Sequence, residues 1–293
     1  MSRIFDMLQQ AERNRRVREP EARSPSARVI SVVNNKGGIG KSMLATNLAV
    51  YLRALHEELP ILVLSLDDQS PVDRMFGLGG PPAAESLTAA LRRGALDRAI
   101  VLGQYGVHYV PVCRHVSELK REIREPQFIG RALLRTNWRG LVLLDTKSDL
   151  ELLTQGAMLA SDLVLVPVSD HASLLEAERV FSWLDDHGVA RERARVVLTL
   201  IDLRVKYREG EQKDVLALLL LEIRRRGYPL LQSFVSRSPK VESLYSNPEG
   251  RAISVLHGAK SSIVSEQLHQ LAQEVFAALP PRGAPGELGT GLR

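Results

Sequence analysis

Apolar residues in this chain gather into short continuous runs, separated by stretches with helical spacing. The runs cover residues 29–33, 61–66, 107–112, 141–144, 163–168 and 195–201. Apolar positions recurring every three to four residues predict helices around 43–55, 86–93, 116–134, 150–159, 173–186 and 263–278. Runs that are apolar throughout, rather than at every second residue, belong to strands buried on both faces. The expected architecture is therefore α/β: a mostly parallel, twisted sheet with helices on both faces. In such sheets ligands bind beyond the carboxyl ends of the strands. The pattern also sets the expected boundaries. Residues 1–28 form an arginine-rich extension with a short amphipathic segment, Ile4-Phe5-Asp6-Met7-Leu8, ahead of Pro20 and Pro25. The α/β domain occupies 29–279, and the Pro- and Gly-rich residues 280–293 read as a disordered tail.

Composition narrows the class without deciding it. The 293 residues suit one large domain, and 44% hydrophobic with 25% charged residues is ordinary for a globular protein. No apolar run approaches the roughly 20 residues that span a bilayer, and residues 1–25 lack the apolar centre of a signal peptide. The single cysteine, Cys113, excludes an intramolecular disulfide, suits a reducing cytosol and sits in an apolar run as a buried thiol. A formal charge of +5 and a pI near 9.5 are compatible with a polyanionic partner.

Chemistry concentrates between the first strand and the first helix, in Val33-Asn34-Asn35-Lys36-Gly37-Gly38-Ile39-Gly40-Lys41-Ser42. Glycines at G-x-x-x-x-G-K-[ST] spacing let backbone N–H groups close around phosphate oxygens. Here Asn35 stands at the first glycine position and Lys36 follows it directly. The expected nucleotide contacts are Gly37, Gly38, Ile39, Gly40, Lys41, Ser42 and Met43. Lys41 is placed to reach the β- and γ-phosphates, and the Ser42 hydroxyl to ligate Mg²⁺. Lys36 cannot easily serve the same phosphates from its own chain. Two strand ends complete the site. Asp67 follows the run at 61–66 and can orient a water for attack on a γ-phosphate. Asp145 ends the run at 141–144 in the manner of a Walker B carboxylate, holding Mg²⁺ opposite Ser42.

These residues resemble the deviant Walker A motif of the ParA/MinD family. The resemblance runs from about residue 29 to 278 and includes Ser161-Asp162-Leu163-Val164-Leu165-Val166-Pro167-Val168. It implies a P-loop ATPase using ATP and Mg²⁺, with Lys36 crossing a dimer interface to the partner's nucleotide. Asp67 matches the family's hydrolysis residue, whereas Ser65 stands where the family usually has its first Asp. Thr146-Lys147-Ser148 replaces the family's small residue and two prolines. The segment 199–204 resembles the one around the adenine base, which implies cofactor contacts for Asp202 and Arg204. The segment 235–241 resembles an "I-P-R" segment near the base and dimer face, which implies the same for Arg237.

ParA-type members bind nonspecific DNA as an ATP-dependent dimer, and a ParB-like or other adaptor stimulates their slow hydrolysis. Late basic clusters favour that branch and a nucleoid-associated, cytoplasmic protein: Arg204 and Lys206, then Arg224, Arg225 and Arg226, then Lys240. Phosphate contacts need charge rather than base readout. The N-terminal extension is the expected adaptor contact. A MinD-like reading needs a basic amphipathic membrane helix, but 263–278 carries almost no cation, so no membrane anchor is evident. Residues 1–12 also resemble the opening of bacterial tyrosine autokinases, which leaves a regulator of envelope or polysaccharide machinery as the alternative.

Overall fold

The computed structural model describes residues 27–78, 85–112, 116–204, 206–209, 211–246 and 250–280, with 206–209 and 211–214 as backbone path only. The N-terminal extension up to Ser26, Cys113 and the tail from residue 281 lie outside these residues.

Eight strands form one sheet in the order β10-β7-β6-β1-β5-β2-β4-β3. In chain order, β1 (Arg28–Val32) leads to α1 (Lys41–Leu55), β2 (Ile61–Ser65), α2 (Val72–Phe76) and α3 (Leu87–Arg93). The two-residue strands β3 (Val101–Leu102) and β4 (His108–Tyr109) follow, then α4 (Phe128–Arg135), β5 (Leu141–Asp145), α5 (Leu152–Ala160), β6 (Leu163–Val168), α6 (His171–Asp186) and β7 (Ala194–Ile201). A hairpin of β8 (Lys206–Glu209) and β9 (Glu211–Asp214) precedes α7 (Val215–Arg225), β10 (Leu230–Ser236), α8 (Pro239–Ser243), α9 (Val255–Gly258) and α10 (Ile263–Ala278). Every neighbouring pair in the large sheet is parallel except β3 with β4 at one edge. The expected fold class is the one observed.

Continuous apolar strands are explained by two cores. Ile30 and Val32 of β1 face a core completed by α1 and α10, while Val29 faces α3, α4 and α5 across the sheet. A third cluster joins β6 and β7 to α6 and α7. Because β1 lies between β5 and β6, the loop after it opens at the centre of the sheet, between the ends of those strands.

Three expectations need correction. The helix at 116–134 is two elements, a 3-10 turn at Val116–Arg121 and α4 from Phe128. Pro126 lies between them and cannot donate to a helical ladder, and its neighbour Glu125 is biased away from helical backbone. Gly156 of α5 fits against this break, since a Cβ there would come within 2.5 Å of the Pro126 carbonyl. The run at 107–112 yields only the two-residue strand β4. Finally, β10 escaped the hydrophobic pattern, because Leu230–Ser236 mixes buried and half-exposed positions at the sheet edge.

Candidate nucleotide site

The loop from Asn34 to Gly40 is held from beneath. Asn34 Nδ2 donates to the carbonyls of Pro167 (2.8 Å) and Ser173 (3.0 Å), while its Oδ1 accepts the Lys36 N–H at 2.9 Å. Thr199 Oγ1 donates to the Ile39 carbonyl at 2.9 Å. Gly38 (φ 73°) and Gly40 (φ 87°) take left-handed backbone that a side chain would strain. Gly40 is also the N-cap of α1, and no side chain caps that helix. Its first N–H groups are therefore unsatisfied donors at the positive end of the helix dipole, the arrangement that receives an anion. Ile39 and Met43 are buried.

Lys41 is buried too, and its Nζ donates to the Lys36 carbonyl (2.7 Å) and to Ser148 Oγ (2.6 Å). Burial lowers its pKa, opposed by the negative charges of Asp145, Asp67 and Asp149. Asp145 is fully buried at the end of β5. Three serine hydroxyls surround it: Ser42 at 3.1 Å on Oδ1, with Ser65 at 3.0 Å and Ser70 at 2.8 Å on Oδ2. Burial raises its pKa to about 6 against those hydrogen bonds, and the nearby Asp67 pushes in the same direction. A carboxylate, a hydroxyl on the next element and an ammonium at an uncapped helix N-terminus form a donor set that suits a phosphate chain with a hard divalent cation. ATP and Mg²⁺ fit these residues.

Asp67 sits on the same side, where its Oδ1 accepts the Gln69 N–H at 2.9 Å. Asp68, by contrast, is structural: it accepts the N–H groups of Val116 and Ser117 and thereby starts the 3-10 turn. Lys36 points away from Lys41. Its Nζ lies 2.5 Å from Asp170 Oδ2, and Asp170 also caps α6 by accepting the Ser173 N–H. Burial of Asp170 would raise its pKa, but the bonds from Lys36 and Ser173 win and hold it below the ordinary value.

The segments expected near a base do meet: the Arg237 N–H donates to the Ile201 carbonyl. Their side chains are engaged, however. Asp202 and Arg204 pair with each other at 2.7 Å, which holds the Asp202 carboxyl down at about 2, and Arg237 pairs with Glu242 at 2.8 Å. The basic clusters are also less free than the sequence suggests. Arg225 pairs with Glu222 at 3.3 Å, and Arg226, only 19% exposed, bridges Glu222 and Glu178. Among the described residues, Arg224 and Lys240 are exposed and form no ion pair. Lys206 lies on β8. The apolar face of α10 is spent in the core, with Val264, Leu268, Leu271, Ala272 and Val275 all buried. Among the described residues no helix is long and apolar enough to cross a membrane.

Sequence reasoning missed Ser148, Ser70, Thr199 and Asp170. Each reaches the site by tertiary contact, and only Ser148 stood in a stretch already marked as departing from a family pattern.

Comparison with known proteins gives the family and the fold. Residues 27–179 match the family described as an AAA domain. The chain is 31% identical over 207 residues to the chromosome partitioning protein ParA of Caulobacter vibrioides, covering 65% of this chain and 76% of that protein. Among solved structures, a plasmid partition protein from Borrelia burgdorferi superposes with a TM-score of 0.64 at 14% identity, covering 87% of this chain and all of that one. The MinD cell division protein in complex with MinC from Aquifex aeolicus gives 0.65 at 17% identity, over 87% of this chain and 97% of that one.

Proposed function

Because the chain belongs to the ParA family of partitioning ATPases, we propose that it is an ATP-driven switch whose ATP-bound homodimer binds nonspecific DNA and positions a DNA or other cargo. The observation that carries this reading is the division of labour between two lysines of one loop. Lys41 is folded into the site, against Ser148 and beside Asp145, whereas Lys36 projects to Asp170 at the head of α6. Lys41 and the backbone of residues 37–42 bind the phosphates, and Ser42 with Asp145 hold Mg²⁺. Bound ATP supplies the phosphoanhydride whose cleavage ends the switch state. Asp67 orients the attacking water. Lys36 leaves Asp170 and reaches the nucleotide of the partner subunit, which makes dimerisation depend on ATP.

Asp202, Arg204 and Arg237 line the base side, where their ion pairs hold them in position. The DNA contacts come from Arg224 and Lys240, with Arg204, Lys206 and Arg225 contributing; Arg226 serves the fold instead. Hydrolysis is slow until an adaptor engages the N-terminal extension, and the protein works in the cytoplasm on the nucleoid. A MinD-like membrane role is disfavoured by the buried face of α10.

The test is binding of a random duplex DNA with ATP–Mg²⁺, with ADP and without nucleotide, at two salt concentrations. Binding confined to ATP, with a steep salt slope, supports the switch. Equal binding in all three states, or none in any while ATP itself binds, would replace it with a regulator outside DNA positioning.

A further inference from the structure

The outward face of α6 carries an open groove outside the nucleotide site. Leu175, Arg179, Ser182 and Asp186 repeat at helical spacing along it, so they form one stripe. Together with Glu178, Trp183 and Leu150 they line a groove of about 520 Å³. Its floor is apolar, with Leu175 left 45% exposed. Its rim carries both signs: Arg179 pairs with Glu176 and Glu178 with Arg226, whereas Asp186 at the far end of the helix is exposed and forms no ion pair among the described residues.

Two further observations point to an occupant. The first is where the chain enters the fold. Val29 exchanges hydrogen bonds with Asp162 at the start of β6, and Val164 of β6 is paired with Ala194 at the start of β7. Because α6 joins two parallel strands it runs antiparallel to them, so its Asp186 end lies at the edge where β1 begins. The second is the composition of residues 4–18. They carry Ile4, Phe5, Met7 and Leu8, and then Arg13-Asn14-Arg15-Arg16-Val17-Arg18 without an acid. Residues 19–26 reach about 26 Å when extended, as far as α6 is long. A segment that left the fold at Ala27 and followed α6 would meet Asp186 with its arginines first, and Leu175 and Leu150 with its apolar residues after them.

The geometry points to residues 4–18 of this chain as the ligand of this groove, docked along α6 in the opposite direction to that helix. The seat has a consequence for the site. Leu150 closes the loop that carries Ser148, the partner of Lys41, and α6 begins with Asp170, the partner of Lys36. A docked arm braces both elements at once, which ties the extension to the two lysines of the loop.

Cysteine cross-linking in the full-length chain tests this, with Cys113→Ser as background. Asn14→Cys, within the arginine stretch, is combined either with Ser182→Cys in the groove or with Lys260→Cys, an exposed position between α9 and α10. Oxidation within one chain should be at least about tenfold faster for the Ser182→Cys pair, the advantage a tethered segment gives at a matching site. Adding Arg15→Glu and Arg16→Glu should remove that advantage. Equal rates at the two positions, no intrachain product, or covalent dimers in its place would overturn the assignment. As an independent readout, Trp183 in a Trp138→Phe background should become more accessible to acrylamide when Phe5 and Leu8 are changed to Asp. Unchanged quenching counts against docking.

Discussion

Lys36 and Asp170 are 134 residues apart in sequence and 2.5 Å apart in space, so the lysine proposed to act on a partner subunit is restrained within its own chain. Both side chains are partly exposed, at 30% and 48%, and a pair of that kind contributes at most about 1 kcal/mol. The restraint is weak enough for a nucleotide to break. Lys36→Ala should therefore spare much of the ATP binding of a single chain and abolish ATP-driven dimerisation, read by nucleotide titration alongside light scattering. Equal loss of both would refute a role in trans.

Asp170→Asn separates charge from capping. Asparagine caps a helix about as well as aspartate, so α6 should keep its stability while Lys36 is released. The variant should dimerise at up to about fivefold lower ATP concentration, the equivalent of the roughly 1 kcal/mol held in an exposed pair. Asp170→Ala, which loses the cap as well, should lower the melting temperature. An Asn variant that needs more ATP than the parent would show that Asp170 helps the dimer form.

Asp145 predicts a pH signature. Its folded-state pKa of about 6 lies above the ordinary 3.8, so the folded protein holds this proton more tightly than the unfolded chain. Stability from this group accordingly falls as pH rises from about 4 to about 6, and the penalty is complete above that window, at roughly 3 kcal/mol. Asp145→Asn should raise the melting temperature of the nucleotide-free protein by several degrees at pH 7.5 and by about half as much at pH 5. The same substitution should remove Mg²⁺-dependent ATP binding. A melting difference independent of pH would contradict the burial argument.

How much of this could be read beforehand depends on how local each signal is. The strand–loop–helix around Lys41 was legible because glycine spacing, a preceding apolar run and a following helical pattern all fall within one short stretch. Asp145 was legible as a carboxylate ending an apolar strand. The partners that give these residues their electrostatics were not: Ser148, Ser70 and Asp170 come from other loops, and no spacing rule links them to the glycine-rich loop. The broken helix at 116–134 was legible in principle, since Pro126 is a local signal that the apolar periodicity overrode. The late arginines show the opposite failure. A run such as Arg224-Arg225-Arg226 looks uniformly available in sequence, yet Glu222 and Glu178 take up two of its three charges.

That difference makes the basic residues separable. Arg224→Glu and Lys240→Glu should weaken ATP-dependent DNA binding for all sequences alike and reduce its salt slope by about one each, with little change in melting temperature. Arg226→Glu should instead destabilise the fold, because it places three carboxylates together at a site that is 19% exposed. Nitrocellulose filter binding across a salt series, paired with thermal melts, distinguishes the two classes. If Arg226→Glu melts normally and loses DNA, the ion-pair network is not structural.

Ser65 offers the sharpest contrast with the family pattern, which has an aspartate there. Its hydroxyl is fully buried and donates to Asp145 Oδ2 at 3.0 Å. Restoring the family residue by Ser65→Asp would set a second carboxylate against the first, and like charges this close cannot both ionise cheaply out of water. The nucleotide-free variant should therefore melt lower than the parent at pH 7.5 and recover part of the loss at pH 5, where one carboxyl holds a proton. If Ser42 and Asp145 hold Mg²⁺, added Mg²⁺–ATP should recover more of the loss than it stabilises the parent, since the cation compensates both charges. Melts with and without Mg²⁺–ATP at the two pH values decide the matter. A variant that is as stable as the parent without nucleotide would mean that Asp145 is less sealed from water than its burial implies, and the pH signature predicted for it would fall with that result.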